Sequence, residues 1–227
     1  MQQMPLVLKP PRRPSFDNFI QGENEALVQT LQSGLEVAHR YLVMGPKGSG
    51  LTHLLSAVFQ ARIVAGAESV YLSLSDVSLW PLLDQAQASF VVLDDVDQVS
   101  GSAEGELALF NALNRWHAAK STVVMSAVGL SDITLPDLRS RLGQATRLTL
   151  KPLNEAGLQA LAIRLAYDQD IQLSPEVAQY LVSRTTRNAS EMTALMNELM
   201  IYALSEKRAI TIPVVREHLS HRSESEP

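Results

Sequence analysis

The sequence predicts an α/β fold: a parallel P-loop sheet with helices on both faces, followed by a small all-α lid domain. Three observations carry that prediction. Between residues 41 and 150 short apolar runs alternate with helix-length segments. One of those runs opens into a glycine-rich turn and then a helical pattern, and after Pro152 the apolar residues change to helical spacing.

The elements follow in order. Prolines at 5, 10, 11 and 14 predict an extended, flexible tail over residues 1–14. The α/β domain is expected from 15 to 151, with strands over 41–44, 70–74, 90–93, 122–125 and 147–150. The lid is expected over 152–221, and residues 222–227 as a disordered tail. Within the lid, Leu158, Leu161, Ala162 and Leu165 mark one helical stripe, and Met192, Leu195, Met196, Leu199 and Met200 another. Asn154 before Glu155, Ser174 with Pro175, Asn188 three before Glu191, and Pro213 supply the helix starts. The methionine stripe is expected to be core, with an adaptable binding surface as its rival.

With 46% hydrophobic residues the 227-residue chain can fill a core. A net charge of −5, without a basic block beyond Lys9, Arg12 and Arg13, argues against strong direct binding to nucleic acid. The absence of cysteine excludes disulfides and thiolate metal sites. No apolar run is long enough to cross a bilayer, and residues after Met1 lack a signal pattern, so a cytoplasmic location is expected. His218 and His221 are spaced for one helix face, but in a charged segment rich in Ser and Glu they read as solvated rather than metal-binding.

Gly45, Pro46, Lys47, Gly48, Ser49, Gly50, Leu51 and Thr52 follow the phosphate-loop template, with His53 next, except that leucine stands where lysine is required. In that template backbone N–H groups cradle phosphates, lysine neutralises the outer ones, and the hydroxyl holds Mg²⁺. The run Phe90, Val91, Val92, Leu93, Asp94, Asp95 then places two carboxylates at a strand's C-terminal end, where open parallel sheets bind ligands. Asp94 fits a Mg²⁺ role with Thr52, and Asp95 that of orienting water.

These residues resemble the AAA+ ATPases, and among them the DnaA branch. Phe16, Asp17, Asn18 and Phe19 resemble the segment before DnaA's first helix; Gly50 to Leu55 its loop and helix; Val92 to Val96 its acidic strand. Leu135 to Leu142 looks like the segment that carries an arginine finger. The resemblance is strongest to the Hda-like regulatory inactivators of DnaA, which have the AAA+ module without a DNA-binding domain. Their clamp-binding peptide is matched by Gln3, Met4, Leu6 and Leu8. An extended segment of that kind can insert apolar anchors into a preformed pocket.

The resemblance implies a negative regulator of replication initiation that binds the DNA-loaded sliding clamp, the DNA polymerase III β subunit. It implies Arg141 acting in trans on DnaA-bound ATP, with Arg139 as the rival finger. DNA would be met only through the clamp, no membrane is involved, and the family leaves room for a homo-oligomer. The alternative is a non-catalytic adaptor or scaffold with a vestigial nucleotide site.

Three departures bear on catalysis in cis. Leu51 replaces the phosphate-contacting cation, Val128 falls where the family has an aspartate after the fourth strand, and Ser190 falls where the lid carries an arginine. Removing one charged group that steadies the transition state costs orders of magnitude in rate, so an autonomous ATPase is not expected. The loop N–H groups still favour an anion, which leaves two readings: an ADP-type nucleotide, with Mg²⁺, or an empty loop retained for fold. Lys47, Arg184 and Arg187 are the candidates to replace the missing charge.

Overall fold

A computed structural model describes residues 12–184 and 188–225. The clamp-peptide residues Gln3, Met4, Leu6 and Leu8, and Arg187, lie outside the described residues. Chain contacts divide the described residues into two units, one spanning Pro14–Lys151 and the other formed from Pro152 onward with Arg12 and Arg13.

In the first unit the elements run α1 (Glu25–Ser33), β1 (Arg40–Met44), α2 (Leu51–Val64), β2 (Ser69–Ser73) and α3 (Leu82–Gln85). They continue as β3 (Phe90–Asp94), α4 (Ala103–Ala118), β4 (Thr122–Ala127), α5 (Pro136–Gly143) and β5 (Thr146–Thr149). The five strands form one sheet in the order β2-β3-β4-β1-β5, with every pairing parallel. Every residue of β3 and β4 is buried. That is the continuous apolar run expected of strands covered on both faces.

Apolar clusters lie on the two sides of the sheet. One gathers Leu42, Leu93, Val123 and Met125 with Leu109, Leu113 and Trp116 of α4 and Leu138 and Leu142 of α5. The other gathers Tyr41, Val43, Val92 and Val124 with Leu27, Val28 and Leu31 of α1 and Leu51, Leu54, Leu55 and Val58 of α2. Alternation along each strand sends neighbouring residues into opposite clusters, as β1 does with Tyr41, Leu42 and Val43.

The strand limits differ from the sequence reading by a residue at several ends. β1 begins at Arg40, and β2 and β5 stop before Leu74 and Leu150. Those two leucines still donate backbone bonds to Asp94 and Met44, at 2.9 and 2.8 Å, as the chain turns away from the sheet.

The second unit is helical: α6 (Glu155–Asp168), α7 (Pro175–Arg184), α8 (Ala189–Ser205) and α9 (Ile212–Ser225). Asn154 Oδ1 accepts from the Gly157 N–H at 2.9 Å, and Asn188 Oδ1 from the Ser190 N–H at 2.8 Å. Both satisfy N–H groups that a helix start leaves unpaired. Met192, Met196 and Met200 are buried with Leu195 and Leu199, so the methionine stripe is core. The last helix begins at Ile212, one residue before the proline, which occupies an early position where its missing N–H costs nothing.

Candidate nucleotide site and arginine helix

The loop between β1 and α2 has the backbone of a phosphate cradle. Gly48 and Gly50 take φ of +76° and +101°, the left-handed region that side chains resist. A Cβ on Gly45 would lie 2.9 Å from both the Leu150 carbonyl and Ser49 Oγ. Gly50 forms the N-cap of α2, whose first-turn N–H groups favour an anion. Ser49 Oγ is buried and has no hydrogen-bond partner. A buried hydroxyl left without a partner is costly, and a phosphate oxygen is one group that can supply it.

Leu51 belongs to the core cluster and is only 7% exposed, so its position has been turned from a phosphate contact into packing. Thr52, Pro46 and Lys47 are exposed. His53 faces the other way: its Nε2 is 2.9 Å from Asn18 Oδ1, and its ring lies 5.5 Å from that of Phe19. Burial lowers the imidazole pKa, against the smaller opposing effect of the Ser15 carbonyl. His53 therefore ties the leading segment to α2.

At the end of β3, Asp94 is fully buried and both of its oxygens are engaged. The Tyr71 hydroxyl donates to Oδ2 at 2.8 Å, and Ser126 Oγ donates to Oδ1. Ser126 also accepts from the Asp95 N–H at 2.8 Å. Burial and the Asp94 charge push the Tyr71 phenol well above its ordinary range. Asp95, at φ +59°, has its pKa raised to about 6 by burial and then by the charges of Asp94 and Asp97. Val128 is exposed, and its N–H donates to Asp97 Oδ1 at 3.2 Å.

The cradle fits an anion, while each Asp94 oxygen already accepts a hydroxyl, Oδ2 from Tyr71 and Oδ1 from Ser126. Among the described residues no group of three or more acidic or histidine side chains is placed to hold a metal ion. His218 lies 3.8 Å from Glu198 and stacks at 5.2 Å on Tyr202, both on α8. Of the candidate replacement cations in the lid, Arg184 sits over the Tyr180 ring at 5.4 Å. Ser190 is exposed in the first turn of α8.

α5 carries the two candidate fingers and is held at both ends. Its start is fixed by Glu106 of α4, a buried carboxylate that accepts from the N–H groups of Thr134 and Leu135, the Thr134 hydroxyl and the Gly101 N–H. Burial alone would raise the Glu106 pKa; these hydrogen bonds outweigh it and lower it to about 2. Arg139 turns back and donates to the Ile133 carbonyl. The side chain of Arg141, in the last turn, has no hydrogen-bond or ion-pair partner among the described residues.

Arg141 acts electrostatically on Arg40, the first residue of β1, whereas the glycine loop leaves the other end of that strand. At about 3.3 Å per residue, the strand puts roughly 15 Å between its two ends. Arg141 therefore lies toward the end of β1 opposite the loop. Tyr71, Ser126, Glu106 and Arg40 were all missed as site residues in the sequence reading. Only Ser126, a hydroxyl interrupting the apolar run of β4, carried a local signal.

The architecture superposes on domain III of the replication initiation protein DnaA from Thermotoga maritima with a TM-score of 0.79, at 17% identity, covering 95% of this chain and 98% of that one. AMPPCP-bound DnaA from Aquifex aeolicus matches with a TM-score of 0.70 and 18% identity over 94% of this chain and 69% of that one. Identities this low show the fold alone. An uncharacterised protein of Haemophilus influenzae is 29% identical over 96% of this chain and 99% of its own length. Residues 154–219 match the family model described as Hda, lid domain.

The chain's lid region is Hda-like, and its fold is that of DnaA domain III. The matched lid spans α6 to α8 and most of α9. The chain's glycine loop has the backbone of a phosphate cradle, while leucine stands at 51, serine at 190, and Asp94 accepts from two hydroxyls. No helix among its described residues is long and apolar enough to cross a membrane.

Proposed function

We propose that the chain is a negative regulator of replication initiation, which binds the DNA-loaded sliding clamp and stimulates hydrolysis of DnaA-bound ATP through Arg141. The observation that carries this reading is the placement of Arg141. It stands at the end of a helix fixed by Glu106, without a partner of its own among the described residues and at the far end of β1 from its own loop. An arginine at the far end of the strand from its own loop suits insertion toward a triphosphate in a partner, a contact that accelerates hydrolysis by about 10³- to 10⁵-fold.

The altered site in cis supports the same division of labour. Leu51 in the core and Asp94 bound by two hydroxyls make turnover by the isolated chain negligible, while the cradle keeps affinity for an ADP-type diphosphate. Gln3, Met4, Leu6 and Leu8 supply clamp binding, and the net charge of −5 suits a protein that meets DNA through the clamp.

The experiment is conversion of DnaA-bound ATP to ADP with DNA-loaded clamp, with and without this protein. Stimulation supports the reading. Clamp binding without stimulation would instead favour a non-catalytic adaptor, a role consistent with the engaged Asp94 and buried Leu51.

A further inference from the structure

The side chain of Arg40 leaves the start of β1 and reaches the C-terminal end of α5, where Nη2 donates to Gln144 Oε1 at 3.2 Å. Gln144 is the C-cap of that helix, and its N–H bonds to the Arg141 carbonyl at 3.3 Å. Arg40 is thereby docked within a turn of Arg141. Its Nη1 is buried and has no acceptor. Burial, and then the charge of Arg141, disfavour its protonated form. Among the described residues neither arginine has an ion-pair partner, and Asp137, one turn earlier on α5, makes none with Arg141.

Two cationic side chains at one helix end, one of them docked on the helix C-cap, without a paired anion among the described residues, are an arrangement that folding alone does not favour. Like charges in reach of one another repel, and a desolvated N–H without an acceptor is a further penalty. An apolar residue at position 40 would avoid both. The arrangement becomes favourable once a polyanion approaches, because the repulsion then turns into joint attraction.

We propose that Arg40 is a positioning residue for Arg141. Docked on Gln144, it denies Arg141 a folded-back conformation, holds that guanidinium outward, and adds its own charge behind it, so that the pair is preorganised for the terminal phosphates of a nucleoside triphosphate held by a partner. The inference rests on the reading of Arg141 as acting in trans.

The test compares the full-length protein with its Arg40→Gln, Arg40→Lys and Arg141→Ala variants, under single-turnover conditions with DnaA–ATP and DNA-loaded clamp. Arg40→Gln lowers the maximal stimulated rate at saturating regulator by about ten- to a hundredfold, the scale expected of a misplaced catalytic group. Clamp affinity and melting temperature stay unchanged, and Arg40→Lys recovers most of the rate. Stimulation by the unaltered protein also falls more steeply with salt than stimulation by Arg40→Gln.

Full activity of Arg40→Gln beside an inactive Arg141→Ala would overturn the role of Arg40 and leave the trans reading standing. Equal loss in Arg40→Gln and Arg40→Lys, with a lowered melting temperature, would make Arg40 structural and also overturn it. Full activity of Arg141→Ala would remove the trans reading itself.

Discussion

The hydroxyl of Tyr71 donates to Asp94 Oδ2 at 2.8 Å, from the strand next to the one that ends in that carboxylate. With Ser126 on the other oxygen, Asp94 is built into the sheet as a buried hydrogen-bond acceptor. Removing either hydroxyl leaves a buried charge short of a partner, which costs about 1–3 kcal/mol. Tyr71→Phe and Ser126→Ala are each expected to lower unfolding free energy by that amount in urea titration. Ser126→Ala is the more damaging of the two because it also strands the Asp95 N–H.

Restoring lysine at the loop does not restore an ATPase. Leu51 is packed among the apolar residues of α1, α2 and β1, and its replacement removes about 1.5–3 kcal/mol of burial before any charge is accommodated. Leu51→Lys is expected to unfold at lower urea and to show no steady-state ATP turnover above background. The engaged Asp94 and the residues Val128 and Ser190 still leave the site without its other polar groups.

The two candidate fingers separate by mutation. Arg139 is spent on the Ile133 carbonyl, so Arg139→Ala loosens the turn before α5, costs about 1 kcal/mol of stability, and leaves stimulation of DnaA-bound ATP hydrolysis largely intact. Arg141→Ala, with no internal hydrogen bond or ion pair to lose among the described residues, keeps the stability and loses the stimulation.

Two acids shape the dependence of stability on pH in opposite directions. Glu106 is lowered from 4.5 to about 2 in the fold, so its contribution is complete above 4.5 and is lost as pH falls toward 2. Asp95 is raised from 3.8 to about 6, so it is harmless below 3.8 and penalises the fold increasingly as pH rises toward 6. Asp95→Asn is therefore expected to gain stability relative to the unaltered protein between those two values, measured as the difference in melting temperature across that range. A Glu106→Gln protein places an amide N–H against backbone donors and is expected to lose at least about 2 kcal/mol at neutral pH.

The sheet was legible because its signals are local. Val91, Val92 and Leu93 form an unbroken apolar run, and the glycines at 48 and 50 allow the positive-φ turn that a phosphate loop requires. The loss of lysine was equally plain in Leu51. Its burial in the core was not, because periodicity alone does not tell which face of the first helical turn a leucine takes. His53 was grouped with the loop for its position, and only the fold brings Asn18 and Phe19 to its ring.

Long-range pairings account for the rest. Tyr71 meets Asp94, Glu106 meets Thr134 and Leu135, and Arg40 meets Gln144 across 23, 28, 29 and 104 positions of sequence. Each depends on sheet order or on helix docking, and no spacing rule links such residues. Asp94 was read as a metal ligand for its place at a strand end; that Tyr71 and Ser126, each ordinary alone, hydrogen-bond its two oxygens had no signal in the sequence.

The central claim is that Arg141 works on a nucleotide bound by a partner. The most direct measurement is the single-turnover rate of hydrolysis of DnaA-bound ATP at saturating regulator and loaded clamp, compared between the unaltered protein and Arg141→Ala. The account predicts that the substitution removes about three orders of magnitude or more of the stimulation while clamp binding is unchanged. Stimulation undiminished in Arg141→Ala would contradict it.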